Sequence, residues 1–115
     1  MTIIQAVAVG RKKIITLLNA ATVPVVSGKA ALENEKSTIQ ATVTGSGAVT
    51  ATLLVEFSND NVGWIPAGAS PTISLSGTNL ATDGFKVDAA WVYVHCELLS
   101  ITGTDAAVTL TVGVR

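Results

Sequence analysis

The chain has 115 residues, of which 49% are hydrophobic and only 13% charged, and its formal net charge is −1. This length can bury one real core, and a chain so poor in charge is not an intrinsically disordered one. The near-neutral charge argues against a nucleic-acid partner. A membrane partner is not expected either, because no segment approaches the roughly 20 apolar residues of a membrane span.

The sparse charge has two interpretations. Either uncharged Thr and Ser side chains hydrate the surface, or neighbouring subunits cover much of it. The charges are also unevenly distributed. Residues 1–36 hold five Lys or Arg and two Glu, a balance of +3, whereas the remaining residues hold two cations and six acids, a balance of −4. Such asymmetry suits contact with copies of the chain or with an acidic partner.

The N-terminal third has the poorest periodicity. We therefore predict a single β-sandwich domain over residues 1–115, in which residues 1–36 form an N-terminal extension or subunit-contacting segment; the alternative is an ordinary first strand packed within its own sandwich. Its basic triplet is a candidate partner interface, and the alternative is a solvated turn; the triplet consists of Arg11, Lys12 and Lys13. Short strands are expected over 12–19 and 22–27, where Pro24 favours an edge strand. Residues 28–36 have helical composition, enough for one or two turns.

Alternation of polar and apolar residues dominates the rest of the chain and predicts half-buried β-strands. The strands are expected over 37–44, 48–57, 63–66, 72–76, 91–101 and 106–114. Glycine-containing stretches at 45–47 and 103–105 predict hairpin turns between successive strands. Those at 77–79 and 83–84 predict breaks between strands in the middle of the chain. Seven to eight short strands with such turns indicate an all-β fold, a single antiparallel β-sandwich or jelly-roll-like domain.

The stretch SNDNVGW, residues 58–64, predicts a polar hairpin tip, because Asn and Asp side chains bond their own backbone. Gly63 is expected to let the chain reverse, and Trp64 to close the end of the core. The residues assigned to anchor this hairpin are Phe57, Asn59, Asp60, Gly63 and Trp64.

The strand around His95 carries most of the candidate chemistry. Alternation places Cys96 on one face with Val92, Val94 and Leu98, and its polar neighbours on the other. Cys96 is thus a small core residue and cannot pair with the only histidine as nucleophile and base. The opposite face carries Trp91 and the candidate partner-interface residues Tyr93, His95 and Glu97. These three form either a binding patch or an exposed or interface-facing strand surface.

The sequence contains no complete motif for a calcium or phosphate site. Asn59, Asp60 and Asn61 resemble half of a calcium loop, but the spaced ligands and closing glutamate are missing. Gly45-Ser46-Gly47 lacks the lysine and helix of a phosphate loop. We predict no catalytic, metal or cofactor site, no enzyme activity, and no small-molecule ligand.

The stretch 55–64, VEFSNDNVGW, resembles a hairpin of small β-sandwich proteins in tailed-bacteriophage virions. Residues 83–94 and 101–110 are similar to the second half of those proteins, so the resemblance covers about residues 48–114. Asn61 stands where the pattern usually has glycine, and asparagine tolerates the same left-handed conformation.

The resemblance implies a capsid decoration (cement) protein, or else a tail or fibre component. A decoration protein would be made in the host cytoplasm and reside on the virion, at the capsid surface. Its partners would be the major capsid protein and copies of itself, in a homo-oligomer such as a trimer. A glycan- or receptor-binding module is the alternative from another class, with Trp64, Trp91 or Tyr93 as a stacking platform.

Overall fold

The computed structural model describes residues 6–9, 12–33, 35–66 and 71–114. These residues contain β-strands and no helix, and hence no helix that could cross a membrane. All strand pairs are antiparallel, which confirms the predicted all-β antiparallel fold. The strands are β1 (Ala6–Val9), β2 (Lys12–Ala21), β3 (Val25–Val26), β4 (Ala30–Ala31), β5 (Ser37–Ser58), β6 (Ile65–Pro66), β7 (Thr72–Val87) and β8 (Tyr93–Val114).

The long strand β5 is the centre of the sheet. It pairs with β8 on one side and with β7 on the other, and its last residues pair with β6. The far side of β8 is covered in two parts, by β2 along its C-terminal half and by β3 and β4 along its N-terminal half. Strand β1 extends the sheet beyond β2.

The three long strands must bend to fit the molecule. Fully extended, the 22 residues of β5 would span roughly 70 Å, whereas the longest dimension of the protein is 39 Å. The register of β5 shifts against β7 between Thr44 and Ala48, and against β8 on either side of Ser46. The bend therefore crosses the sheet as one line, which we call the bend line (residues 45–47, 77–80 and 102–105).

Each long strand carries unusual backbone at the bend line. Asn79 adopts a left-handed φ of 64° and its side-chain Oδ1 accepts a 2.7 Å hydrogen bond from the Gly47 N–H. Gly103 has a φ of 125°, and a Cβ there would lie 2.8 Å from the carbonyl oxygen of Ala48. At Gly77 a Cβ would lie 2.4 Å from the Leu80 carbonyl oxygen. These close approaches let the strands turn together without losing their partners.

One face of the curled sheet forms the whole core. Along β5 the odd-numbered residues are buried on both sides of the bend, and along β8 the even-numbered residues are buried in the same way. The two halves of the sheet therefore enclose a single set of apolar side chains, as in a β-sandwich. Phe57 and several Leu and Val side chains within it are fully inaccessible to solvent.

The predicted hairpins at 45–47 and 103–105 are wrong. Each joins two halves of one bent strand, so the predicted pairs 37–44/48–57 and 91–101/106–114 are β5 and β8. The breaks expected at 77–79 and 83–84 likewise lie inside β7. Glycine marks both a hairpin and a bend, and only the long-range pairing with neighbouring strands distinguishes them.

The described part of residues 1–36 is built into the sandwich. Strand β2 pairs with β8, and its side chains Ile15 and Leu17 are buried. The helical turns expected over 28–36 are wrong, because the described residues there form β4 and a turn at Glu33. Leu32 is fully buried and its N–H donates to the Val92 carbonyl at 2.7 Å. Strand β3 lies at a sheet edge, as Pro24 indicated.

We predict that Gly77→Ala lowers the free energy of unfolding by about 1–3 kcal/mol, because the added methyl group meets backbone that cannot move freely. The matched control is Gly63→Ala, where the nearest heavy atom to the new Cβ would be 4.0 Å away. Urea unfolding of both variants measures the difference. Equal stability of the two variants would show that the close contact at the bend line is not needed.

Candidate functional site

The outer surface of one half of the sheet carries the clearest cluster of functional groups. We call it the outer-face patch, and its members are Glu56, Trp64, Tyr93, His95 and Glu97. Glu56 and His95 stand directly opposite each other on β5 and β8. Their side chains are linked by a 3.0 Å contact between Nε2 and Oε1 and are 20% and 13% exposed.

Trp64 stacks on the imidazole of this pair. Its indole lies parallel to the His95 ring, with centroids 3.8 Å apart and an interplanar angle of 9°. Trp64 precedes β6, which flanks β5 on the side away from β8, so the indole reaches across β5 to the imidazole. The result is a half-buried layer of one aromatic ring, one imidazole and one carboxylate on the outside of the sandwich.

The polar loop before Trp64 is held by its own side chains, as the sequence predicted. The Ser58 hydroxyl oxygen accepts hydrogen bonds from the N–H groups of Asp60 and Asn61, at 3.3 and 2.9 Å. Asp60 Oδ1 accepts from the N–H groups of Val62 and Gly63, both at 2.9 Å. These backbone donors hold the pKa of Asp60 below its usual value.

The chain trajectory around this loop also follows the prediction. The left-handed conformation expected at Asn61 is present, with φ at 64°. Gly63 contributes through its N–H rather than through a positive φ, which it does not have. Asn59 ties the loop to the approach to β8, since its Oδ1 accepts from the Val92 N–H at 3.3 Å.

Trp64 does not close the core, contrary to the sequence interpretation. That position belongs to Trp91, which packs on the fully buried Phe57 with ring centroids 6.1 Å apart. Trp91 Nε1 is buried with no hydrogen-bond partner among the described residues. The alternation rule had placed Trp91 on the face of Tyr93. It fails there because β8 begins only at Tyr93, so residue 91 lies outside the strand.

The two faces of β8 separate the reactive groups as predicted. Cys96 is buried in the core, and burial raises the pKa of its thiol to about 12. The polar residues Tyr93, His95 and Glu97 lie half-buried on the other face. The described residues hold no group of three or more His, Cys, Asp or Glu placed to bind a metal.

The predicted basic interface is only partly described. Arg11 and the side chain of Lys12 lie outside the described residues. Lys13 forms a 3.0 Å ion pair with Glu33 and lines a groove together with Lys36 and Lys86. Sequence reasoning missed the latter two, because they are separated by 50 positions and each appears as an isolated surface charge.

Comparisons with known proteins report on the fold. No protein-family model matches the chain, and no curated protein matches it significantly. The chain is similar in structure to the SPBc2 prophage-derived protein YomS, with a TM-score of 0.64 and 19% sequence identity. That match covers 94% of this chain and 96% of the other.

Weaker matches are β-rich domains of other kinds. One is the K1 cleaved adhesin domain of Lys-gingipain from Porphyromonas gingivalis W83, at 12% identity and a TM-score of 0.47, covering 90% of this chain and 73% of that one. Another is the N-terminal cellulose-binding domain of Cellulomonas fimi β-1,4-glucanase C, at 20% identity and a TM-score of 0.39, covering 90% and 76%. At these identities the comparisons describe architecture alone.

We predict that Trp64→Ala destabilises the protein much less than Phe57→Ala. Removing the fully buried phenylalanine should cost about 3–5 kcal/mol. Removing the half-buried indole forfeits mainly a stacking contact, worth about 0.5–1.5 kcal/mol beyond its buried area. Denaturant unfolding of both variants gives the comparison, and a larger loss for Trp64→Ala would contradict its place on the outer face.

Proposed function

We propose that the protein is a non-enzymatic structural protein of a tailed-bacteriophage virion and that it decorates the head. In this role it is made in the host cytoplasm, binds the major capsid protein and copies of itself at the capsid surface, and clamps adjacent capsomers. The observation that carries the proposal is the end-to-end structural similarity to a prophage-derived protein. The match covers 94% of this chain and 96% of the other, so the similarity extends over the whole β-sandwich rather than over one hairpin.

A free sheet edge supports association with further copies. Strand β7 pairs with β5 along its length, and no other described strand pairs with it. Residues 73–82 of this edge contain neither a charged residue nor a proline, the two features that usually protect an edge from pairing. An antiparallel strand of a neighbouring copy would extend the sheet through backbone hydrogen bonds. Pairing of β7 with the β7 of a second copy closes as a two-fold dimer, whereas the proposed trimer needs β7 to pair with a different edge of the next copy.

Exposed apolar side chains point to contacts in the assembled particle. Three valines in or beside β3 have largely exposed side chains, namely Val23 (62%), Val25 (42%) and Val26 (54%). Strand β3 is a short edge strand beside β8, so these side chains lie together along that edge. A run of exposed apolar residues is typical of surfaces that another protein covers. This favours the interpretation that neighbouring subunits cover part of the weakly charged surface.

The outer-face patch favours a second candidate function, a glycan- or receptor-binding module, including one in a tail or fibre. Trp64 presents an aromatic ring outside the core, and two carboxylates, Glu56 and Glu97, lie near it on the same face. Aromatic rings with adjacent polar groups are a common arrangement for binding ligands of mixed polarity. In the decoration protein, the same patch would contact the capsid.

The edge proposal predicts that the protein self-associates and that Ser76→Lys weakens the association. A lysine in the middle of the free β7 edge places like charges near each other when copies pair. The control is Thr44→Lys, an exposed residue of β5 that pairs with β7 on one side and with β8 on the other, so it does not lie at an edge. Sedimentation equilibrium measures the effect. A monomeric parent, or equal weakening by both variants, would contradict pairing at β7.

The decoration function itself is tested with virions of the phage that encodes the chain. Particles lacking the protein should assemble heads that break more readily on heating or dilution, and added protein should restore them. Negative-stain images with a gold-labelled protein give its location. Label on the tail tip would replace decoration by the tail function, and binding to a sugar array that Trp64→Ala abolishes without unfolding would establish the glycan-binding function.

A further inference from the structure

A groove lies where the ends of four strands meet, away from the outer-face patch. It has a volume of about 510 Å³ and is formed by the start of β2 and β5 and the end of β7 and β8. Its wall combines apolar and cationic side chains, namely Ile14, Val87 and Val114 with Lys13, Lys36 and Lys86. Asp88 is the one acidic residue in the lining.

Lysine side chains of the described part of the chain gather at this groove. Three of the four lysines whose side chains the structure describes line it, and Lys29 is the fourth. These three lysines come from positions far apart in the sequence and belong to different strands or their approaches.

The lysines in the groove form only exposed ion pairs, or none, with the described residues of the protein. Lys86 and Asp88 are 3.8 Å apart and both are largely exposed, and the Glu33 partner of Lys13 is 65% exposed. Exposed ion pairs of this kind contribute little to stability, so carboxylates of a partner can replace or join them. Lys36 makes no ion pair with any residue that the structure describes.

The wall also contains an unsatisfied hydroxyl group. Ser37 is only 4% exposed, and its Oγ has no hydrogen-bond partner among the described residues. A buried hydroxyl without a partner is costly. The Ser37 side chain lies on the buried face of β5, so its hydroxyl is a polar group beneath the groove rather than a contact offered to an occupant.

We propose that this groove binds an acidic segment of a partner protein, one in which carboxylates alternate with apolar side chains. The lysines pair with the carboxylates, while Ile14, which is 45% exposed, contacts the apolar positions, and the buried Val87 and Val114 form the floor beneath them. Charge complementarity selects this occupant, since the lining has three lysines and one acidic residue, and a basic or neutral segment would leave the lysines without partner carboxylates. The inference deepens the proposed function, on which the identification of the partner as a capsid protein rests.

The test uses the full-length protein and a fluorescent decapeptide of alternating Glu and Leu, with binding followed by anisotropy. Lys36→Glu should weaken binding severalfold, and Lys36→Glu with Lys86→Glu by about tenfold or more, chiefly at low salt, where charges are least screened. Lys29→Glu is the matched control, because it makes the same change at an exposed lysine outside the groove. It should change the affinity less than twofold.

Several results would overturn the proposal. Equal weakening by Lys29→Glu and Lys36→Glu would mean that net charge alone attracts the peptide. Equal binding of a Gln–Leu decapeptide would mean that the site is apolar, and full displacement by millimolar inorganic phosphate would identify a small-anion site. The peptide assay needs no virions. If the peptide binds the groove but virions never carry the protein, the decoration function is refuted, whereas the proposed binding of acidic segments in the groove stands.

Discussion

The whole architecture depends on three neighbouring strands bending at the same level. A strand of 22 residues cannot lie straight in a molecule 39 Å long, and a single bent strand would lose its partners. Because β5, β7 and β8 bend together, pairing continues on both sides of the bend line. One sheet thereby becomes both walls of a sandwich, and the same alternating face supplies the core of each wall.

The bend also determines which segments meet at the end of the sandwich opposite the bend line, which we call the open end. Both ends of β5 are brought there, together with the start of β8 and the end of β7. Leu32 and the Phe57–Trp91 pair bury apolar groups at this end, and the 3.0 Å ion pair between Lys13 and Glu33 links β2 to the turn after β4. The groove and the loop that carries Trp64 therefore both depend on the curvature of the sheet, although neither includes a residue of the bend line.

The sequence predicts those features that local chemistry decides. Alternation correctly identified the buried faces of β5 and β8 and the core position of Cys96, and the Asn/Asp-rich loop correctly predicted the backbone bonds made by Asp60. Sequence reasoning failed where distant partners decide, as at Gly45-Ser46-Gly47, which is a bend because β7 and β8 continue alongside. It also misplaced the two tryptophans, since alternation holds only within a strand. The groove could not be predicted, because Lys13, Lys36 and Lys86 meet only when four strand ends converge.

The distribution of charge separates the two proposed modes of contact. The β7 edge is uncharged over residues 73–82 and would offer backbone hydrogen bonds, which depend little on ionic strength. The groove holds three lysines on an apolar wall, so contacts made there weaken as salt increases. A protein that used one surface for both contacts could not change one without the other. With the edge for copies of itself and the groove for an acidic partner, clusters would remain intact under conditions that release them from a particle.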